Sequence, residues 1–316
     1  MRALHVPAAG EQPVLAELPT PEVPDGHVLI KIKAAGLNAI DNMIAAGMTA
    51  GMAQHEYPLV LGRDASGVVE RVGAGVDRLA PGDEVLGHVP FVAPIQAGVL
   101  AEYAVLPAAN VCVKPANLDF VAAAAIPLAG AAAAAVVDAV APEPGQMVLV
   151  NGASGGVGSY AVQLLAARGA AVVATGTPAD TDRLIKLGAR AVVDFTAGSV
   201  VDQIRAVHPE GVDALVNLTG FANGDVPLAA VRKGGRVATT TTAPDAEALA
   251  AAGLTGTGVF AAPGAETIAP LAEQAAAGTL TVEVTTVLPL DQAADGLATI
   301  AAGKASGKIV VRVDGQ

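Results

Sequence analysis

Residues 147–158 read Met147-Val148-Leu149-Val150-Asn151-Gly152-Ala153-Ser154-Gly155-Gly156-Val157-Gly158, an apolar run that breaks into glycines at 152, 155 and 158. A segment with helical character follows, carrying Gln163, Leu164 and Leu165. Glycines at these places permit a tight turn, close approach of a pyrophosphate, and close packing of helix on strand. Backbone N–H groups at the helix start then face the anion, aided by the helix dipole. Such a glycine pattern is common by itself, so its surroundings decide what it means.

Those surroundings form a series. Apolar stretches at 147–151, 171–175, 191–194, 214–217, 236–240 and 258–261 read as strands. The intervals hold helical segments such as Val157–Arg168 and Thr181–Leu187. Six strands alternating with helices predict an α/β domain, a Rossmann-type doubly wound parallel sheet. The glycine loop, entering a helix from the first of these strands, predicts dinucleotide binding through Ser154, Gly155, Gly156 and Val157.

The end of the second strand bears on which dinucleotide. An NAD site places Asp or Glu there for the ribose 2′-hydroxyl. Here the strand ends Ala174-Thr175-Gly176-Thr177, which leaves room for a 2′-phosphate, and Arg183 lies six residues on. Arg183 reads either as the phosphate's counter-ion or as a solvated helix residue. Asp180 lies nearer and would oppose a phosphate. NADPH is the expected cofactor, with NADH not excluded.

Outward from this region the texture changes. Before residue 120 the chain is turn-punctuated and strand-like, with His27–Lys33 alternating, Pro81-Gly82-Asp83-Glu84-Val85 as a turn feeding a strand, and Ala101–Val105 as another short strand. Short strands between Gly and Pro suggest a small, partly open β-barrel. The tail, ending Lys308-Ile309-Val310-Val311-Arg312-Val313, reads as a lone helix and a strand.

Composition narrows the class. With 53% hydrophobic residues, 3% aromatics and no Trp, the 316-residue chain must build its cores from Ala, Val, Leu and Ile. A net charge of −12 opposes binding to nucleic acid or to an anionic membrane. Cys112 is the only cysteine, which excludes an intrachain disulfide and a cysteine-based structural zinc site; it reads as a buried filler. The start, Met1–Pro7, lacks the apolar core of a signal peptide, and Phe120–Val140 is alanine-rich and interrupted by Pro127, Gly130 and Asp138. A cytoplasmic protein with a buried helix start is expected.

The ordered landmarks Gly36-Leu37-Asn38-Ala39-Ile40-Asp41, Tyr57–Asp64, Pro81–Val85, Ala101–Ala104, Ile126–Gly130, the glycine loop, Leu187-Gly188-Ala189 and Gly307–Val310 give the chain a resemblance over nearly its whole length. It resembles the zinc-free quinone oxidoreductase (zeta-crystallin-like) branch of the medium-chain dehydrogenase/reductase superfamily. The resemblance implies a GroES-like catalytic domain over 1–119 and 265–316, a dinucleotide-binding domain over 120–264, and a substrate cleft between them. It also implies a homodimer through the last strand of the nucleotide sheet. Zinc alcohol dehydrogenases look like Gly-x-Cys-x-x-Asp and Gly-His-Glu at the first two landmarks. This chain has Asn38 and Gly62-Arg63-Asp64 there, and an amide and a guanidinium do not replace a thiolate and an imidazole on zinc.

The chemistry left is hydride delivery, without metal, to an already electrophilic quinone or α,β-unsaturated carbonyl. The resemblance implies that Asn38 lies near the nicotinamide ribose and the substrate, with Asp41 beside it; the same two residues also read as caps of a helix starting near Ile40. Tyr57 is a candidate proton donor or a packing residue. Further candidate cofactor contacts are Thr175, Gly176, Thr177, Arg183, Leu218, Thr239, Phe260 and Lys308, and no metal ligand is expected. Ala132 stands where relatives carry a cofactor-contacting hydroxyl, and no basic residue stands at Ala179 or Asp180. The competing readings are a trans-acting enoyl or polyketide-intermediate reductase, and a non-catalytic protein that binds NADPH in a structural or sensing role.

Overall fold

The computed structural model describes residues 1–220, 226–241 and 245–313. Its contacts divide the chain into two units, Met1–Ala131 with Ala262–Gln316, and Ala132–Ala261.

In the first unit the strands are β1 (Arg2–Val6), β2 (Val14–Glu17), β3 (His27–Gly36), β4 (Leu59–Val60), β5 (Asp64–Val72), β6 (Glu84–His88), β7 (Tyr103–Pro107) and β8 (Val111–Val113). Helix α1 (Ala39–Ala45) follows β3, and α2 (Phe120–Ala124) follows β8. Strand β3 organises the unit. It pairs antiparallel with β5 on one side, and with β7 along its first half. Its register against β5 shifts twice, leaving Glu70 of β5 and then Lys33 of β3 without an opposite residue. Val28, Ile30 and Ile32 join one core cluster with the expected period of two, and Leu29, which lies between them and outside that cluster, is buried as well.

Helix α3 (Pro127–Val140) restarts the chain three residues after α2. Pro127 suits a first helical position, while a residue before proline disfavours helix, which separates α2 from α3. The boundary between the units falls inside α3, between Ala131 and Ala132. The stretch Phe120–Val140 is thus two helices, and Ala131, Ala132, Ala133, Val136, Val137 and Val140 are buried. Among the described residues no helix is long and apolar enough to cross a membrane.

In the second unit β9 (Met147–Asn151), α4 (Gly156–Ala167), β10 (Ala171–Gly176), α5 (Thr181–Lys186), β11 (Ala191–Asp194), α6 (Val200–Val207), β12 (Val212–Asn217), β13 (Val231–Thr239), α7 (Ala246–Ala252) and β14 (Thr255–Gly258) alternate along the chain. The described strands form one parallel sheet in the order β11-β10-β9-β12-β13-β14. This is the doubly wound order, reversing at β9. The core gathers Leu149, Val173, Ile204, Leu215 and Val237 from both wings. The sixth strand corrects the expectation of 258–261. It runs Thr255–Gly258 and all four residues are exposed, so no apolar burial marked it in the sequence.

The chain then returns to the first unit through α8 (Ala265–Ala276), β15 (Val284–Pro289), α9 (Ala293–Ala301) and β16 (Lys308–Arg312). The tail therefore holds two helices and two strands, not one of each. Strand β15 is mostly exposed and polar in its middle, which hid it. Strand β16 pairs antiparallel with the end of β3, Val310 opposite Gly36.

Candidate active site

The second unit carries the glycine loop where β9 ends, between its neighbours β10 and β12 and therefore at the switch point of the sheet. The three glycines do different things. Gly152 takes φ +85, a left-handed turn that a side chain resists. A Cβ on Gly158 would lie 2.3 Å from the Gly152 oxygen and 2.5 Å from Ala153 Cα, so this glycine lets α4 close on the loop. A Cβ on Gly155 would meet only the Gly152 oxygen, at 3.5 Å. Nothing in the protein requires a glycine there. An anion approaching the N-terminus of α4, whose first N–H groups have no partner within the helix, gives it a reason.

The loop is tied to its neighbours by buried polar side chains. Asn151 donates from Nδ2 to Asn217 Oδ1 at 2.8 Å, joining the ends of β9 and β12. The Gly152 N–H donates to Thr175 Oγ1 at 2.9 Å, joining loop to β10. Thr175 is thus buried and engaged with the loop. Thr177 donates its hydroxyl to Asp180 Oδ2 at 2.8 Å, and its N–H to the same oxygen at 3.0 Å. A Cβ on Gly176 would strike Leu184 Cδ1 at 2.7 Å, so that residue packs against α5.

Arg183 is not a solvated helix residue. It is half-buried and donates from Nη2 to Asp180 Oδ1 at 2.9 Å and to the Ser154 carbonyl at 3.1 Å, bringing a guanidinium to the glycine loop. Leu218 lies against the loop, 3.3 Å from where a Gly152 Cβ would sit. Thr239, at the end of β13, is buried with its hydroxyl 3.0 Å from that of Thr241. Phe260, beyond β14, is 60% exposed.

The first unit holds a second polar cluster, built where β3, β5 and β16 meet. Asp64 is fully buried and accepts from Asn38 Nδ2 at 2.9 Å, His88 Nδ1 at 2.7 Å and the Leu128 N–H at 3.1 Å. Asn38 Oδ1 accepts from Lys308 Nζ at 2.6 Å, and Lys308 also donates to the Leu37 carbonyl at 2.8 Å. Burial lowers the Lys308 pKa below the usual lysine range, against the attraction of Asp64 and Asp41. Asn38 holds the N-cap position of α1, yet its side chain faces Asp64 and Lys308 rather than capping. The capping carboxylate is Asp41, whose Oδ2 accepts from the Asn38 N–H at 2.8 Å.

Asp41 is fully buried, and desolvation raises its pKa to about 7 despite that hydrogen bond and the charge of Arg63. Arg63 is buried too, and desolvation lowers its pKa while Asp41 acts the other way. Tyr57 is half-buried against the core of this unit, its ring edge-on to His55 with centroids 6.4 Å apart. Cys112 is buried, with its thiol pushed up to about 12 by desolvation, which makes it inert.

Asn38, Asp41, Lys308 and the glycine loop are candidates that the sequence already singles out. It does not single out Asp64 and His88 as their anchors, or Asn151 and Asn217 as the loop's. Asp64 stands inside a landmark; the others carry no local signal. Among the described residues, no group of three or more His, Cys, Asp or Glu is placed to hold a metal ion.

Comparison with known proteins places this geometry in context. Residues 24–116 match the alcohol dehydrogenase GroES-like domain, and residues 187–311 match a family described as zinc-binding dehydrogenase. The NADPH-dependent alkenal/one oxidoreductase, chloroplastic, of Arabidopsis thaliana is 34% identical over 226 residues, 70% of this chain and 56% of that protein. The structure of a quinone oxidoreductase from Coxiella burnetii superposes with a TM-score of 0.89 at 26% identity, over 99% of both chains. A crystal structure of an NAD-dependent alcohol dehydrogenase superposes with a TM-score of 0.87 at 33% identity, over 99% of this chain and 100% of that one. The chain spans about half the length of the curated relatives it matches.

Proposed function

The chain belongs to the medium-chain dehydrogenase/reductase superfamily, and from that membership we propose that it is a zinc-independent, NADPH-dependent reductase of quinones or α,β-unsaturated carbonyls. The observation that supports the reading is the contrast within the glycine loop, where the protein crowds Gly152 and Gly158 but leaves Gly155, the N-cap of α4, open. The residues fit a dinucleotide: the α4 N-terminus with Gly155, Gly156 and Val157 would hold the pyrophosphate, and Arg183 the 2′-phosphate. When bound, the dihydronicotinamide supplies the hydride.

The remaining work falls to the chain's own side chains. Asp64 orients the Asn38 amide, and Lys308 fixes its oxygen by donating from a buried place. N–H donors held in place there favour negative charge developing on a nearby acceptor oxygen. The donor set supports zinc independence: Asn38 is an amide already bonded to Asp64, and Arg63 is a cation. The relatives named for quinone and alkenal/one reduction support the acceptor class. Against NADH stands the end of β10, where Asp180 is bonded to Thr177 and Arg183 and so is not free to take a ribose hydroxyl. The fully exposed β14, at the sheet edge, supports a homodimer by edge-to-edge pairing, which sedimentation equilibrium reads directly.

The test is acceptor-dependent oxidation of NADPH and of NADH, across naphthoquinones, benzoquinones, alkenals and enones. Turnover with at least one class and a preference for NADPH is expected. Tight NADPH binding with no turnover on any acceptor would leave a binding protein instead.

A further inference from the structure

Arg63 precedes β5 by one residue and is 2% exposed. Its Nη1 donates to the Ala97 carbonyl at 3.2 Å, while Nε and Nη2 have no hydrogen-bond partner. The fully buried Asp41 has an orphan as well, its Oδ1. The two side chains attract one another electrostatically yet form no hydrogen bond. His55 stands in the same field, its Nε2 at 2.8 Å from Thr49 Oγ1 and its Nδ1 unpartnered.

A structural arginine this deeply buried is normally closed by an acid or by carbonyls, because unsatisfied buried charge is costly. Here the nearest acid does not close it. Asp41, with its pKa near 7, is also protonated through much of the acidic and neutral range, so it compensates Arg63 incompletely. What fits two orphaned N–H groups of one guanidinium edge is an oxygen carrying negative charge.

We propose that Nε and Nη2 of Arg63 donate to the carbonyl oxygen of the acceptor and hold the negative charge that forms on it during reduction. This rests on the reductase reading above and narrows it, because the acceptor must then carry a carbonyl conjugated to the carbon that is reduced. For an enone the electron count is direct. The β-carbon gains the hydride given up by NADPH, the alkene pair moves to the bond between the α- and carbonyl carbons, and the carbonyl pair comes to rest on oxygen. A proton from water at the α-carbon then returns the neutral ketone. Both orphaned nitrogens are closed to water in this structure, so the oxygen enters by a shift of neighbouring side chains.

The test uses 4-(dimethylamino)cinnamaldehyde, an enal whose absorption moves to longer wavelength when its carbonyl oxygen is hydrogen-bonded by a cation. Bound to the wild-type protein with NADP⁺, it should show that shift, and Arg63→Met should abolish it while NADP⁺ affinity is retained. The same variant should lose about 10²–10³-fold in kcat/KM for an enone, the size of a lost oxyanion donor. No shift in the wild type, or an equal shift in Arg63→Met, overturns the assignment. If Arg63→Met does not fold, Arg63→Lys carries the test, since it keeps the charge and loses the paired edge. A drop of about tenfold or more is expected there, and an unchanged rate counts against Arg63. An Arg63-dependent shift in a protein without turnover would keep the carbonyl site and refute the reductase reading alone.

Discussion

Gly155→Ala and Gly158→Ala separate a glycine kept for a ligand from one kept for the fold. At Gly155 the backbone has φ −79 and ψ 178, which alanine adopts freely, and the new methyl would touch only the Gly152 oxygen at 3.5 Å. Restricting the unfolded chain gains about 0.4–1 kcal/mol, and losing glycine at an N-cap costs a similar amount, so stability should stay within about 1 kcal/mol of wild type. At Gly158 the methyl would sit 2.3 Å from the Gly152 oxygen and 2.5 Å from Ala153 Cα, both backbone atoms that cannot rotate away. Overpacking of this kind costs about 1–3 kcal/mol, which at roughly 2–4 °C per kcal/mol lowers Tm by about 2–12 °C. Affinity should divide the other way. A methyl at residue 155 stands where phosphate oxygens must meet the α4 N–H groups, and losing one such bond, at about 1.5–3 kcal/mol, weakens NADPH roughly 10- to 100-fold. Thermal melts with fluorescence titration of NADPH read both effects. Gly155→Ala binding NADPH as wild type does would refute the phosphate cradle, whatever Gly158→Ala shows.

Arg183→Ala should weaken NADPH about ten- to a hundredfold in the same titration and NADH far less; equal loss for both would make Arg183 a loop brace through the Ser154 carbonyl. Asp41 holds a proton in the folded chain up to pH about 7 that the unfolded chain releases near 3.8, so stability should fall as pH rises between those values and level off above. The slope is at most about 1.4 kcal/mol per pH unit, and Asp41→Asn should remove it from a series of melts across pH. Dialysis against a strong chelator should leave activity intact, and elemental analysis near one zinc per chain would overturn the reading of Asn38 and Arg63.

The parallel sheet was legible because its strands are buried on both faces. Val148, Leu149 and Val150, or Ala214, Leu215 and Val216, form runs that only a covered strand carries. Where burial stops, legibility stops with it. Strand β14, Thr-Gly-Thr-Gly and wholly exposed, has neither apolar content nor alternation. Its place is set by pairing with β13 at Arg236 to Thr239. The alternation of β3 misleads for a related reason. Val28, Ile30 and Ile32 face the core as a period of two predicts, but Leu29 between them is buried too, and alternation does not show that a second face is covered.

The site was legible to the extent that its chemistry is local. Three glycines between a strand and a helix announce themselves within twelve residues, because turn, phosphate approach and packing are all solved there. The polar cluster of the first unit is the opposite case. Lys308 meets Asn38 across 270 positions, and Asp64 meets it across 26, through pairings that β16 and β5 make with β3. No spacing rule reaches that far. The same holds for Asn151 and Asn217, joined across 66 positions because β9 and β12 are neighbours in the sheet. Their register places Asn217 directly beside Asn151 at the strand ends. A buried amide at a strand end is costly without a partner, so each of these residues is interpretable only as half of a pair. Arg63 is the exception that proves useful: its residue type was visible as a departure from the zinc alcohol dehydrogenases, but only its burial with Nε and Nη2 unpartnered makes that departure a candidate site.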